Sequence, residues 1–149
     1  MLDHVPILLA EDDLNDLLLM QRALDRAGFL NPVLPVRDGR EIVEYLEGRG
    51  EFSQRDKHPL PGLLLLDLKM PVMNGFEVLR WVRSQPKLKR LPIIILTGSV
   101  HETDTRTAYE EGANSYLIKP ANFNELVETI KNVGDFWLTG TRLPNLGEA

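Results

Sequence analysis

Short, almost wholly apolar runs alternate with longer amphipathic stretches along the whole chain. The runs are VPILLA (5–10), NPVLPV (31–36), LLLL (63–66), IIIL (93–96) and SYLI (115–118). Their length and apolar character predict strands, the central ones buried on both faces. Between them apolar residues recur at helical spacing. Leu14, Leu17, Leu18, Leu24 and Ala27 lie near one face, with Gly28 as a stop. Asp38-Gly39 opens a helix containing Ile42, Val43 and Leu46, and Phe76, Leu79 and Val82 follow Asn74-Gly75. Phe123, Leu126, Val127, Ile130 and Trp137 form the last stripe. Five strand–helix repeats imply a parallel sheet with helices on both faces. Pro32 and Pro35 put the second run at a sheet edge, whereas LLLL and IIIL suit its centre. The order 2-1-3-4-5 satisfies both. The helix over 101–113 has little apolar surface beyond Ala108 and Tyr109, so it is expected to be the least firmly packed. Residues 51–62 read as a polar surface loop.

Composition narrows the class without changing the fold. A chain of 149 residues supports one core, and 43% hydrophobic with 26% charged residues is an ordinary globular balance. The net charge of −5 argues against a general nucleic-acid surface. The absence of cysteine excludes disulfides, thiolate metal sites and cysteine nucleophiles. No run approaches the roughly 20 apolar residues of a membrane span, and no leader pattern opens the chain. A soluble cytoplasmic protein is expected, with no direct nucleic-acid or membrane partner. The basic group Arg80, Arg83, Lys87, Lys89 and Arg90 reads as a solvated face, and His4, His58 and His101 as surface residues.

The candidate chemistry lies where the strands end. The first run is followed by Glu11-Asp12-Asp13 and the third by Asp67; the fourth leads into Thr97 and the fifth into Lys119-Pro120. The carboxyl edge of an open α/β sheet carries the site, at the switch in strand order. That switch falls between strands one and three, where Glu11, Asp12 and Asp67 would meet. Carboxylates so close repel one another. A hard divalent cation such as Mg²⁺ relieves the conflict, and Lys119 adds a further positive charge. Asp67 could then attack phosphorus as a nucleophile, with Thr97 and Lys119 stabilising the transferring group. Singly, each signal is commonplace: an aspartate cap, a Lys-Pro turn, an acidic N-cap cluster such as Asp13 suited to the helix dipole. Their joint appearance at the same ends of four strands favours a site.

The segments ILLAEDD, LLLLDLKMPVMNGFEVL, PIIILTGS and SYLIKP resemble the receiver domain of two-component response regulators, the CheY-like family, over residues 5–136. The resemblance implies a single flavodoxin-like (βα)5 receiver over 1–138, then a short tail over 139–149 with no output domain. It makes Asp67 the phosphoacceptor. Mg²⁺, with Mn²⁺ as a substitute, would be bound by Glu11, Asp12, Asp67 and the backbone carbonyl of Lys69. Thr97 and Lys119 would contact the phosphoryl group, and the Lys119–Pro120 bond would be cis. Tyr116 falls on the aromatic switch position, where inward rotation accompanies phosphorylation and alters the face formed by the fourth helix, fifth strand and fifth helix. Lys69 is not specified by the family pattern; with Ser99 it is expected to tune loss of the phosphoryl group. The chain would be a signalling switch rather than an enzyme, although it catalyses its own phosphorylation and dephosphorylation.

The long loop before LLLLD and the segment GDFWLTGTRLP are similar to those of stand-alone receivers that partner phytochrome-type histidine kinases. That likeness implies a phytochrome-type sensor kinase, a homodimer involving Phe136-Trp137-Leu138, and an unidentified downstream protein. Rival readings fare less well. A flavin phosphate loop would need hydroxyls and glycines where Glu11-Asp12-Asp13 stands, and an aspartate-nucleophile phosphatase would carry an acid where Lys69 stands. A receiver-like binding or dimerisation module acting without phosphorylation would show damage in the acidic pocket, and none is visible.

Overall fold

A computed structural model describes residues 4–146. The apolar runs form β1 (Ile7–Ala10), β2 (Val33–Val36), β3 (Leu63–Leu66), β4 (Ile93–Thr97) and β5 (Ser115–Ile118). The helices between and after them are α1 (Leu14–Arg26), α2 (Gly39–Glu47), α3 (Gly75–Ser84), α4 (Glu102–Glu110) and α5 (Phe123–Gly134). The strands pair in parallel in the order β2-β1-β3-β4-β5, as the edge prolines and central leucines require. Ala10 lies opposite Leu66 and Thr97 opposite Ile118. The residues that follow β1 and β3 therefore emerge level with each other.

Alternation along the strands supplies two cores. Leu8, Leu64, Leu66, Ile93 and Ile95 face α2 and α3 with Ile42, Val78, Leu79 and Val82. Ile7, Leu9, Leu63, Leu65, Ile94 and Leu96 face α1 and α5 with Met20, Leu24, Leu126 and Ile130. Each such side chain contributes about 1.5–3 kcal/mol of hydrophobic stabilisation. Asp13, Asp38, Asn74 and Asn122 cap α1, α2, α3 and α5 through side-chain oxygens, whereas His101 makes no side-chain cap on α4. Only Ala108 of α4 is buried, so its weak apolar stripe does give a lightly packed helix.

Four local expectations need correction. On α1 the buried row is Met20, Ala23 and Leu24, while Leu14 and Leu18 are exposed; a 100° rotation per residue carries Leu18 off that row. Residues 51–62 are more than a polar loop. Tyr45 donates to the Pro59 carbonyl, Phe52 packs tilted and His58 edge-on against Tyr45, and Arg55 donates to the carbonyls of Tyr45, Leu46 and His58. His58 is thus half-buried in an aromatic cluster. Arg83 is not part of a solvated face: it donates to the carbonyls of Lys89, Leu91 and Gly112 and to Asn114 Oδ1. Burial lowers its pKa.

The end of the chain is also better packed than its polar sequence suggests. A π-helical turn, Asp135–Gly140, continues α5, and Trp137 and Leu138 fold onto the α1–α5 core while Phe136 stays exposed. Beyond it Leu143 approaches Gly62 at the start of β3, and Leu146 is buried in the opposite core. The segment therefore crosses the amino edge of the sheet from one helical layer to the other. Gly134 exists to admit a neighbour, since a Cβ there would meet the Phe29 ring at 2.0 Å. Gly134→Ala should lower the free energy of unfolding by about 1–3 kcal/mol through overpacking, measured by urea titration. Phe29→Leu in that background should recover part of the loss.

Candidate functional site

The level ends of β1 and β3 put Glu11 and Asp67 side by side at the centre of the carboxyl edge. Lys119 follows β5 and reaches across the end of β4 to both. Its Nζ lies 2.7 Å from Glu11 Oε1, 3.4 Å from Asp67 Oδ2 and 3.8 Å from Asp16 Oδ2. Its own amide donates to the Thr97 carbonyl at 2.7 Å, which ties the lysine to β4. Glu11 is only 4% exposed, and its second oxygen accepts the Asp13 amide at 3.3 Å. Asp67 Oδ1 accepts the Lys69 amide at the same distance. Thr97 is buried, while Asp12 and the Lys69 side chain are exposed at the rim.

Burial pushes the Glu11 carboxyl above its usual range, against the opposing pull of Lys119. Burial alone would lower the Lys119 pKa, but the hydrogen bond it donates to Glu11 and the charges of Asp67, Glu11 and Asp16 raise it. The pair is therefore strongly bound yet costly to desolvate, the usual balance for buried ions.

The flanking loops are tightly specified. The Gly75 amide donates to the Leu68 carbonyl, and a Cβ on Gly75 would stand 2.7 Å from the Asp67 carbonyl. Glycine is required there because the start of α3 presses against the β3 exit. Val72 adopts φ 69°, and Met73 N donates across it to Pro71 O at 2.7 Å, closing a γ-turn. A β-branched residue in this region carries strain of about 1–3 kcal/mol. Beyond β4, Ser99 is buried; its carbonyl accepts the Tyr116 hydroxyl at 3.1 Å, and its Oγ donates to Asp104 Oδ2 at 2.6 Å. Tyr116 is turned inward, packed against the α2–α3 core. One expectation fails: among the described residues no peptide bond is cis, so Lys119–Pro120 is trans. The two isomers of such a bond lie within about 1 kcal/mol of each other, and the dipeptide alone does not select between them.

The donor chemistry fits a hard divalent cation, since every candidate ligand is an oxygen. Among the described residues, however, no three acidic or histidine side chains converge closely enough to hold an ion by themselves. Lys119 sits against both Glu11 and Asp67, and Asp12 stands at the rim. Such a set suits an ion that keeps several waters, as Mg²⁺ does, more than one enclosed by protein. Asp16 and Asp104 were not singled out from sequence. Asp16 looked like any acid in a first helical turn, and Asp104 carries a signal only through its spacing from Ser99.

Comparison with known proteins agrees with this geometry. The response regulator receiver domain model matches residues 7–131, and the chain belongs to that family of two-component signalling proteins. It is similar to the probable methanogenesis regulatory protein FilR2 of Methanothrix harundinacea, 38% identical over 95% of this chain and 89% of that protein. It is also similar to the response regulator Rcp1 of Synechocystis, 36% identical over 93% of this chain and 92% of that one. The crystal structure of the Mn²⁺-bound form of Rcp1 superposes with a TM-score of 0.85, covering 95% of this chain and 99% of that one at 35% identity. That of the phosphorylated cyanobacterial phytochrome response regulator RcpA gives 0.89, covering 96% and 100% at 38% identity.

Three substitutions test the electrostatics and the strain. Lys119→Met leaves Glu11 buried without its partner and should cost about 3 kcal/mol of stability at neutral pH. With the folded pKa of Glu11 above its unfolded value, the native state takes up the proton first. Stability from this group is thus present at low pH and lost as pH rises through the folded value. The deficit of Lys119→Met should therefore shrink as pH falls toward 4.5, and Glu11→Gln in the same background should remove that dependence. Urea titrations across the range measure both. Val72→Gly relieves the left-handed strain and should raise the unfolding midpoint, by about 1 kcal/mol in free energy; a lower midpoint would refute the strained turn.

Proposed function

We propose that the chain accepts a phosphoryl group from a histidine kinase onto Asp67 and passes the change on through α4, β5 and α5. The observation that carries this reading is the Lys119 ammonium set against Glu11 and Asp67 at the ends of adjacent strands. In the transfer, an Asp67 carboxylate oxygen forms its bond to phosphorus as the phosphorus–nitrogen bond of the kinase phosphohistidine breaks, and the electron pair returns to the imidazole. Lys119 offsets the negative charge of the transferring group, and the Thr97 hydroxyl donates to one of its oxygens. Glu11, Asp12, Asp67 and the Lys69 carbonyl would hold Mg²⁺, or Mn²⁺ in its place, and the ion would supply further positive charge toward the transferring group. Lys69 and Ser99 tune how fast water removes the group. The phosphoryl state then biases Tyr116 and the lightly packed α4 between two arrangements, a population shift driven by a local charge change.

The reading makes residues 1–138 the receiver and 139–149 a short tail, acting in the cytoplasm as a switch rather than an enzyme. No helix among the described residues is long and apolar enough to cross a membrane. The sensor is a phytochrome-type histidine kinase, a choice supported by similarity to Rcp1 and RcpA over nearly their full lengths. Output passes through a homodimer or an unidentified partner protein rather than through nucleic acid. Phe136, 58% exposed and edge-on to Trp137 at 5.1 Å, offers an apolar surface for the dimer.

Incubation with Mg²⁺ and acetyl phosphate should add one phosphoryl group by intact mass, and Asp67→Asn should add none. No gain with either phosphodonor or kinase, together with no binding of beryllofluoride, would leave only a binding module acting without phosphorylation. Phe136→Ser should shift a dimer to monomer in sedimentation velocity with stability changed by less than about 1 kcal/mol, since the side chain is exposed. Lys69→Ala should alter the rate of phosphoryl loss after donor removal; equal rates would take Lys69 out of the scheme.

A further inference from the structure

Three parts of the carboxyl edge meet at Ser99. Its amide lies 3.4 Å from Thr97 Oγ1, its carbonyl accepts the Tyr116 hydroxyl at 3.1 Å, and its Oγ donates to Asp104 Oδ2 at 2.6 Å. The same Oγ accepts the His101 amide at 3.4 Å. His101 is the N-cap residue just before α4, and its own side chain makes no cap. Ser99, from the loop before the helix, and Asp104, in its first turn, thus together do what a capping pair does. The hydroxyl oxygen accepts the first orphan amide, and the acid of the first turn accepts the hydrogen bond that the hydroxyl donates.

This contact matters because α4 has few others. Ala108 is its one buried residue. At its carboxyl end the Gly112 carbonyl is gripped by Arg83, and Tyr109 accepts the Tyr116 amide. Its amino end is joined to the β4 exit by Ser99 and Asp104. A hydrogen bond to a charged acceptor at 2.6 Å is among the stronger kinds. It also fixes the Ser99 carbonyl in the position that receives the Tyr116 hydroxyl.

We infer that the Ser99–Asp104 hydrogen bond is a latch that holds Tyr116 inward and seats the first turn of α4, making Asp104 a positioning residue for the switch. The inference rests on the reading of Asp67 as phosphoacceptor and of the inward Tyr116 as the arrangement that phosphorylation favours. By reciprocity, a contact that stabilises that arrangement strengthens binding of a phosphoryl mimic, and the mimic strengthens the contact.

The test uses the full chain with Mg²⁺ and beryllofluoride. Asp104→Ala and Ser99→Ala should each weaken beryllofluoride binding about tenfold, the double variant should be no worse than either, and Asp104→Asn should fall between. In a Tyr116→Phe background, Asp104→Ala should change nothing, which separates the latch from a general loosening of α4. Unchanged affinity, additive losses, or an equal loss in the Tyr116→Phe background would each overturn the latch. Fluorine NMR of fluorotyrosine-labelled protein without any ligand gives a second readout. There Asp104→Ala should move the Tyr116 signal, identified among the three tyrosines by its absence in Tyr116→Phe. A wild-type chain that binds no beryllofluoride would remove the phosphoacceptor reading, whereas an unmoved Tyr116 signal would remove the latch by itself.

Discussion

Negative side chains emerge level from two adjacent central strands, and one ammonium group has to answer for them. Much of the carboxyl edge follows from that constraint. The register of β1 on β3 makes Glu11 and Asp67 neighbours whatever else the chain does. Glu11 is nearly dry, so its ionised form depends on Lys119. Lys119 must in turn cross the end of β4, which is possible because Thr97 is small and its carbonyl receives the lysine amide. The placement of β5 beside β4 is thereby tied to the charge on β1, two strands further along the sheet.

The sheet order, the central strands and the two acids beside Lys119 were legible in the sequence because each rests on a local pattern. Edge prolines, uninterrupted leucines and polar residues at strand ends all declare themselves without a structure. What escaped depends on partners distant in the chain. Arg83 looked like one more surface base, since nothing near it in sequence announces that carbonyls up to 29 residues away will surround it. The loop over 51–62 looked polar because Arg55 is charged, yet the arginine works by closing main-chain carbonyls of α2. Leu143 and Leu146 were too isolated to suggest a buried segment. The trans Lys119–Pro120 bond was missed for a different reason: the expectation came from family likeness, and the residues themselves do not choose.

The weak fourth helix was also foreseen, although its weakness proves to be distributed in a particular way. Its middle is held by one alanine, and its two ends are tied to their surroundings through Ser99 before the helix and Arg83 of α3 after it. A helix of this kind gains little from propensity and short-range packing; its placement is decided by the loops on either side. Relatives that share the receiver fold include a probable methanogenesis regulator as well as a Synechocystis response regulator. A helix governed by its flanking loops is one that a few substitutions could re-tune while the sheet is left alone.

The two ends of the sheet are held together by different kinds of force. At the carboxyl edge the contacts are between full charges, and some of them border solvent. At the amino edge the guanidinium of Arg83 donates, among the described residues, to carbonyl and amide oxygens and to no carboxylate. Charge–charge attraction between solvent-exposed groups weakens as ions accumulate around it, whereas buried ion pairs and short contacts between a half-buried cation and neutral dipoles respond far less. Added salt therefore reaches only the part of the carboxyl edge that borders water, the contact of Lys119 with the exposed Asp16, and leaves both the dry Glu11–Lys119 pair and the Arg83 cluster little changed.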